Sequence, residues 1–370
     1  MLHLLFLFLI KLSVASYFTV PVGYDEAFLG NAGVAASGTP GNVLYNPAGM
    51  AFLANAASVS LSGTSIAYQE LDGSEFNRTT GTLKTSGFLT TVIFPVTEEI
   101  NMAAFWVYPG NTDDSFRIEE RSTTNRNVSE NLVRTAAIGG LAYSKYLNAE
   151  WSAGFSIGVG WSEIDRRRNE VTWDGTTSRL ESLSQIESRY DILLNPGMLW
   201  RAFEVYQTGV SLSWKALSLF NEGETYTAIQ ETNQTTPNEA TDLYTPRSHE
   251  FLSATWGHQL LLHQHLLFAD LTYATHSPFE SSFTVTTKPY WALSLGWKTP
   301  RVDRFRYLSG LQVAQCDSMQ SFLASFGLGF TQGKLEGNLG AFAHVTENRT
   351  NENVRSDIIG FLYSSSFDYK

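Results

Sequence analysis

From about residue 57 onward, apolar residues alternate with small or polar ones at a period of two. In residues 151–162 one face carries Trp151, Phe155, Ile157, Val159 and Trp161, and the other Ser152, Gly154, Ser156, Gly158, Gly160 and Ser162. Residues 290–297 and 322–330 repeat the pattern, with Trp291, Leu293, Leu295 and Trp297, then Phe322, Phe326, Leu328 and Phe330 on the apolar face. A helix would need apolar positions at i, i+3 and i+4, which these stretches lack. The alternation predicts about fourteen strands, near 57–69, 86–95, 100–108, 134–146, 150–165, 187–201, 205–218, 249–260, 265–275, 290–299, 305–315, 320–331, 334–344 and 357–369.

The connections between these strands alternate in length. Residues 96–99, 147–149, 202–204, 261–264, 300–304 and 332–333 are tight, whereas 70–85, 109–133, 166–186, 219–248, 276–289 and 345–356 are long, and 316–319 is the short exception. Short turns on one side and long loops on the other are the habit of membrane barrels, and aromatic residues at strand ends match their girdles. Charge is sparse, 16% of residues against roughly 25% in soluble domains, while Gly (29), Phe (24), Tyr (16) and Trp (9) are frequent. This composition suits a sheet with an apolar outer face and a small-residue inner face.

The start of the chain behaves differently. Residues 4–10 form an apolar run followed by Ser13-Val14-Ala15, which predicts a signal peptide over 1–15. That run is too short to span a bilayer, which takes about 20 residues, so any crossing is by strands. Residues 31–51 are rich in glycine and alanine and close on Tyr45-Asn46-Pro47-Ala48-Gly49-Met50, neither strand-like nor loop-like. Small residues allow close backbone approach and Pro47 fixes a dihedral, as a tightly packed irregular segment needs. A barrel of this width is not filled by its own side chains. Residues 20–53 are long enough to occupy the lumen, where Phe28, Leu29, Val34, Val43, Leu44, Tyr45, Met50 and Phe52 either pack the segment in place or line an apolar cavity.

A net charge of −11 excludes nucleic acid as partner. Arg166, Arg167 and Arg168 form the single basic run, a solvated loop tip or a contact for lipopolysaccharide phosphates. The one cysteine, Cys316, excludes an internal disulfide and a thiolate metal site. His258, His263 and His265 surround one tight turn but lack the converging ligands of a zinc site. Ser248-His249 and His276-Ser277 are adjacent pairs whose side chains diverge in a strand, so no Ser/His catalytic pair is expected. Sequons at Asn77, Asn127, Asn233 and Asn348 read as polar loop chemistry. The inward positions are mostly Gly, Ser and Ala, with Lys215, Asp270 and Glu336 as charged exceptions, unlike the charged constrictions of diffusion pores. Pro196 predicts a local break in its strand.

The stretch from Asn31, Ala32, Gly33, Val34 and Ala35 to Tyr45, Asn46, Pro47, Ala48, Gly49 and Met50 resembles the N-terminal hatch of the FadL-type long-chain fatty acid transporters of bacterial outer membranes. Asn195-Pro196-Gly197 with 209–214 is similar to that family's mid-barrel hairpin. The resemblance implies a monomeric all-β protein, a transmembrane antiparallel β-barrel of about fourteen strands whose lumen an N-terminal hatch plugs. Residues 1–15 are then the signal peptide, 16–56 the hatch and 57–370 the barrel. It further implies transport of long-chain fatty acids or other lipids and hydrocarbons in the outer membrane, without cofactor, metal or catalysis. Phe28, Leu29, Asn31, Gly33, Tyr45, Asn46, Pro47, Ala48, Gly49 and Met50 are the expected hatch and ligand contacts, and outer-membrane lipid and lipopolysaccharide the surroundings. In the family a kink in the third strand, here around 100–108 and ending in Pro109-Gly110, opens the wall sideways. Two other functions fit the same barrel: an anchor or shuttle for surface protein secretion, and a general diffusion porin.

Overall fold

The computed structural model describes residues 21–53, 57–72, 82–84, 86–110, 112–121, 125–232, 234, 236–245, 251–275, 280, 281, 284, 285, 289–316, 319–348 and 354–369. Its strands close into a 14-stranded antiparallel barrel. In chain order these are β1 (Ala57–Asp72), β2 (Thr82–Lys84 with Ser86–Pro95), β3 (Ile100–Gly110 with Thr112–Arg121), β4 (Asn125–Tyr146), β5 (Trp151–Trp173), β6 (Ser178–Phe203) and β7 (Tyr206–Glu231). They continue as β8 (Asn238–Tyr244 with Phe251–Leu262), β9 (His265–Ala274), β10 (Tyr290–Lys298), β11 (Phe305–Cys316), β12 (Met319–Gln332), β13 (Leu335–Asn348) and β14 (Val354–Tyr369). β1 pairs with β14 from Ala57 opposite Tyr369 to Asp72 opposite Arg355, so the barrel has no open seam. Closure satisfies the edge groups that lipid cannot. No described helix is long and apolar enough to cross a membrane.

The period-two pattern decides which face is which. On β5, Phe155, Ile157 and Val159 are exposed while Ser152, Ser156 and Gly158 are buried; on β12, Phe322 and Phe326 point out and Leu323 and Ser325 in. Trp151 stacks on Trp200 with ring centroids 5.3 Å apart at one end of the apolar band, and Tyr190 meets Phe220 at the other. From Trp151 to Trp161 is about 33 Å along the strand, or about 25 Å after tilting, the height of a membrane barrel's apolar belt.

Beyond that belt the structure departs from the sequence reading. Much of the connections read as long loops, 109–133, 166–186 and 219–248, is strand. β4 and β5 stay in register from Tyr146 opposite Ser152 to Asn125 opposite Trp173, and β6 and β7 run 26 residues each. Outside the membrane both faces meet water, so the backbone ladder persists while the apolar alternation that reveals it disappears. Asp174 shapes the β5–β6 turn: its carboxylate accepts the amides of Thr176 and Thr177 at 2.9 and 2.8 Å, in an Asx turn. The Arg166–168 run accordingly lies on β5 and not at a loop tip; Arg167 is bound to Asp165 and Arg168 to Glu170.

Two ladder irregularities bear on function. The β3–β4 ladder runs to Val107 opposite Ile138 and resumes at Thr112 opposite Arg134, so four residues of β3 stand against three of β4. The register thus shifts by one residue between Val107 and Thr112, a bulge on the β3 side. The β6–β7 ladder skips Asn195 and Pro196, as the missing N–H of proline requires.

Candidate functional site

Residues 21–53 sit inside the barrel and are nearly all buried. Their regular pieces are short: a 3-10 turn Glu26–Leu29, a helical turn Asn42–Tyr45 and a second 3-10 turn Pro47–Phe52. Asn46 caps the last of these by accepting the Ala48 amide at 3.2 Å, with Pro47 at the first helical position, where its missing N–H costs nothing. The Asn-Pro-Ala sequence thus encodes its own turn. The same Asn46 donates from Nδ2 to Val34 O at 2.7 Å and to Met198 O of β6 at 3.0 Å, joining the segment to the wall.

All ten residues singled out from the sequence fall in this packed body. Phe28 lies against Gly327, and Leu29 against Gly296 and Gly310, where any side chain would run into the segment's backbone. Asn31 adopts a left-handed conformation (φ 64°) and accepts the Tyr45 hydroxyl at 3.0 Å; that hydroxyl also donates to Val22 O at 2.7 Å. The Gly33 amide donates to Asp270 at 2.7 Å. Ala48 O accepts Ser152 Oγ at 2.9 Å, Met50 O accepts Asn101 Nδ2 at 2.8 Å, and Gly49 O accepts the Gly38 amide at 3.0 Å. Phe28, Leu29 and Met50 are fully enclosed in an apolar cluster with Leu89, Ile93, Phe105, Val107, Leu323, Phe342 and Leu362 of the wall. In this arrangement their side chains pack the segment, and a ligand reaches them only if the segment moves.

The polar groups that secure the segment were not singled out from the sequence for that role; Asp270 was noted only as an inward charge and Asn195 only within the mid-barrel resemblance. Asp25 binds Lys298 Nζ of β10, Arg306 Nη2 of β11 at 2.8 Å and Asn338 Nδ2 of β13 at 3.0 Å. Burial alone would raise its pKa; Lys298 and then Arg306 outweigh burial and hold it at about 2. Asp270 of β9 accepts the consecutive amides of Gly33 and Val34 at 2.7 and 2.9 Å. Asn195 donates to Leu44 O at 2.6 Å, Gln207 to Ala35 O at 2.6 Å, and Ser325 accepts the Gly30 amide at 3.1 Å. Glu336, expected inward, sits at the rim with Arg301, 31% exposed. The available signal was parity: a polar residue on the inward phase of a strand that otherwise carries Gly, Ser or Ala there.

Above the segment the wall is two-sided. β6 and β7 present ion pairs, Lys215 with Asp191 at 2.6 Å and Arg189 with Glu187 at 2.5 Å, while β2 to β4 present Leu89, Phe105, Val107 and Ile138. Val107 and Ile138 are the last ladder pair before the bulge. The histidines do not converge: His258 bonds the Tyr206 hydroxyl at 2.7 Å and His265 the Trp297 indole at 3.2 Å, with His263 in the turn. Among the described residues no group of three or more His, Cys, Asp or Glu could hold a metal. Ser248-His249 and His276-Ser277 lie outside the described residues.

No family model matches this sequence, and no curated protein matches it. Solved structures do. The chain is similar to the CymD monoaromatic hydrocarbon channel at 12% identity, covering 96% of this chain and 99% of that one with a TM-score of 0.69. The toluene transporter TodX of Pseudomonas putida gives the same identity, coverage and TM-score. A FadL homologue of Pseudomonas aeruginosa matches at 12% identity over 95% of this chain and all of that one, with a TM-score of 0.65.

Proposed function

Because the chain has the fold of the FadL-type channels of bacterial outer membranes, we propose that it is a passive outer-membrane transporter of small hydrophobic molecules, such as long-chain fatty acids, other lipids or hydrocarbons. Residues 1–15 act as signal peptide, 16–56 as hatch and 57–370 as barrel, and the protein works as a monomer with lipopolysaccharide around its outer rim. The observation that carries this reading is the β3–β4 bulge beside the inward apolar side chains Phe105, Val107 and Ile138. There the ladder between the described residues of β3 and β4 is interrupted next to apolar side chains, so an apolar molecule leaves sideways into lipid without crossing water. No covalent step and no cofactor enter. Cargo gathers between the extended strands β4 to β7, descends along the apolar wall, and is released when the segment shifts; Phe28, Leu29, Tyr45 and Met50 then form the floor of the binding site.

The test is uptake of a radiolabelled long-chain fatty acid and of toluene into cells carrying the protein. Deleting residues 28–50 is expected to change uptake at least tenfold relative to wild type, and Val107→Asp to abolish it in a correctly folded barrel. Uptake unchanged by both variants refutes the proposal, and ion conductance through the intact barrel would identify a porin instead.

A further inference from the structure

Glu26 is fully buried at the centre of the luminal segment. Its carboxylate accepts the Tyr24 amide at 3.0 Å and the Thr39 hydroxyl, and Gly33 and Gly41 pack on it so closely that an added Cβ at either would strike its side chain. One carboxyl group thereby ties together three stretches, near residues 24, 33 and 39–42. Every donor it meets is neutral. The 3-10 turn carrying Glu26 packs on β10 to β13. From β10 and β11 come Lys298 and Arg306, both bound to Asp25. Glu336 of β13 lies 3.9 Å from Arg306, and β12 offers no titratable group among its described inward residues. The nearby wall acid, Asp270 of β9, is a second buried carboxyl group, and Tyr45 closes the remaining side.

We infer that Glu26 is a proton-sensitive knot that keeps the luminal segment folded, so that the segment is held more tightly in acid than in alkali; the inference rests on the hatch reading above. The hydrogen-bond pattern accommodates the neutral acid. Protonated Glu26 donates to Thr39 Oγ1, and the Thr39 hydroxyl turns to Asn42 Oδ1, 3.1 Å away. Ionisation reverses the hydroxyl and leaves a buried anion with no cation, which opening of the segment would hydrate.

Burial is the main reason that the Glu26 pKa rises from 4.5 to about 7, with Asp25 adding to it and the Thr39 bond opposing it. A raised pKa means stability fully present below about pH 4.5 and lost as pH climbs through about 7. Taking the open segment to have the ordinary value, its opening equilibrium rises about 30-fold between pH 5.5 and 8.5.

The experiment is hydrogen–deuterium exchange of the full-length protein in lipid nanodiscs, expressed as protection factors so that intrinsic amide chemistry is removed, with strand peptides as internal reference. Protection of peptides from 21–53 is expected to fall at least about 30-fold from pH 5.5 to 8.5 in the wild type, to fall about 30-fold in Asp270→Asn, where Glu26 is left without the second buried acid, and to stay flat in the Glu26→Gln, Asp270→Asn double variant. A wild-type profile flat within twofold overturns the inference, as does a response that Glu26→Gln leaves at its full wild-type size or that Asp270→Asn removes. Should Glu26→Gln not assemble, the Asp270→Asn profile decides: a fall with its midpoint near pH 7 supports the knot, and a flat profile or a midpoint near 4 overturns it. A flat profile alongside altered uptake on deleting residues 28–50 removes the knot and leaves the transport reading standing.

Discussion

Gly257 on β8 faces the luminal segment, and replacing it by alanine is the sharpest test of how that segment is seated. The new Cβ would lie 2.8 Å from the Ala35 amide nitrogen, 2.9 Å from Val34 Cβ and 2.5 Å from Asp270 Oδ1. Non-bonded heavy atoms prefer about 3.5–4.0 Å, so segment and wall must separate by about 0.5–1 Å. Two of the three neighbours belong to the segment, and the third is the carboxylate that accepts the Gly33 and Val34 amides. Overpacking of this kind costs about 1–3 kcal/mol, or about 5- to 160-fold in the equilibrium for segment release. Gly160→Ala on β5 is the matched control: it too faces inward, but its nearest neighbour is the flexible Leu193 Cδ1 at 3.1 Å. Hydrogen exchange of peptides from 21–53 reads the effect, and heat-modifiability on a gel verifies that both barrels are folded. Protection that is the same in Gly257→Ala, Gly160→Ala and wild type would show that β8 does not carry the segment, and the seating described here would be wrong.

Asp25→Asn leaves Lys298 and Arg306 without their shared anion; breaking a buried pair from one side costs about 3–5 kcal/mol, so exchange of the segment's amides should accelerate over a hundredfold while strand amides stay protected. Phe28→Ala empties a fully buried site against Gly327 and should cost about 3–5 kcal/mol, read as a lowered first transition in a thermal melt; a loss below about 1 kcal/mol would mean that the site collapses freely. Tyr45→Phe removes one hydroxyl that bonds both Val22 O and Asn31 Oδ1, for an expected loss of about 1–2 kcal/mol in the same melt.

The barrel was legible because lipid imposes a rule on the outer face of every strand, apolar over about 25 Å, and most inward positions between are small or polar. Residues 151–162 and 322–330 obey it, and their faces in the structure are those the alternation assigns. The segment 31–51 was legible as a packed irregular piece from its small residues and Pro47, whereas the turn that Asn46 caps was not read from the sequence, although an Asn cap and a Pro at the first helical position act within four residues. Pro196 announced its ladder break for a local reason, its missing N–H. The tertiary structure alone decided the rest. The length of β4 to β7 was hidden because strands bathed on both faces carry no apolar period, so 166–186 reads as loop and folds as hairpin. The side-chain partners of Asp25 and Glu26 and the amide partners of Asp270 were hidden because they lie 13 to 313 residues away. One position on β3 bulges because its ladder counts four residues against three on β4, a mismatch that belongs to the pair of strands and to neither alone. Sequence fixes what each residue prefers to face; closing the barrel fixes which residues then meet inside it, because only closure brings distant inward phases to one side of one wall.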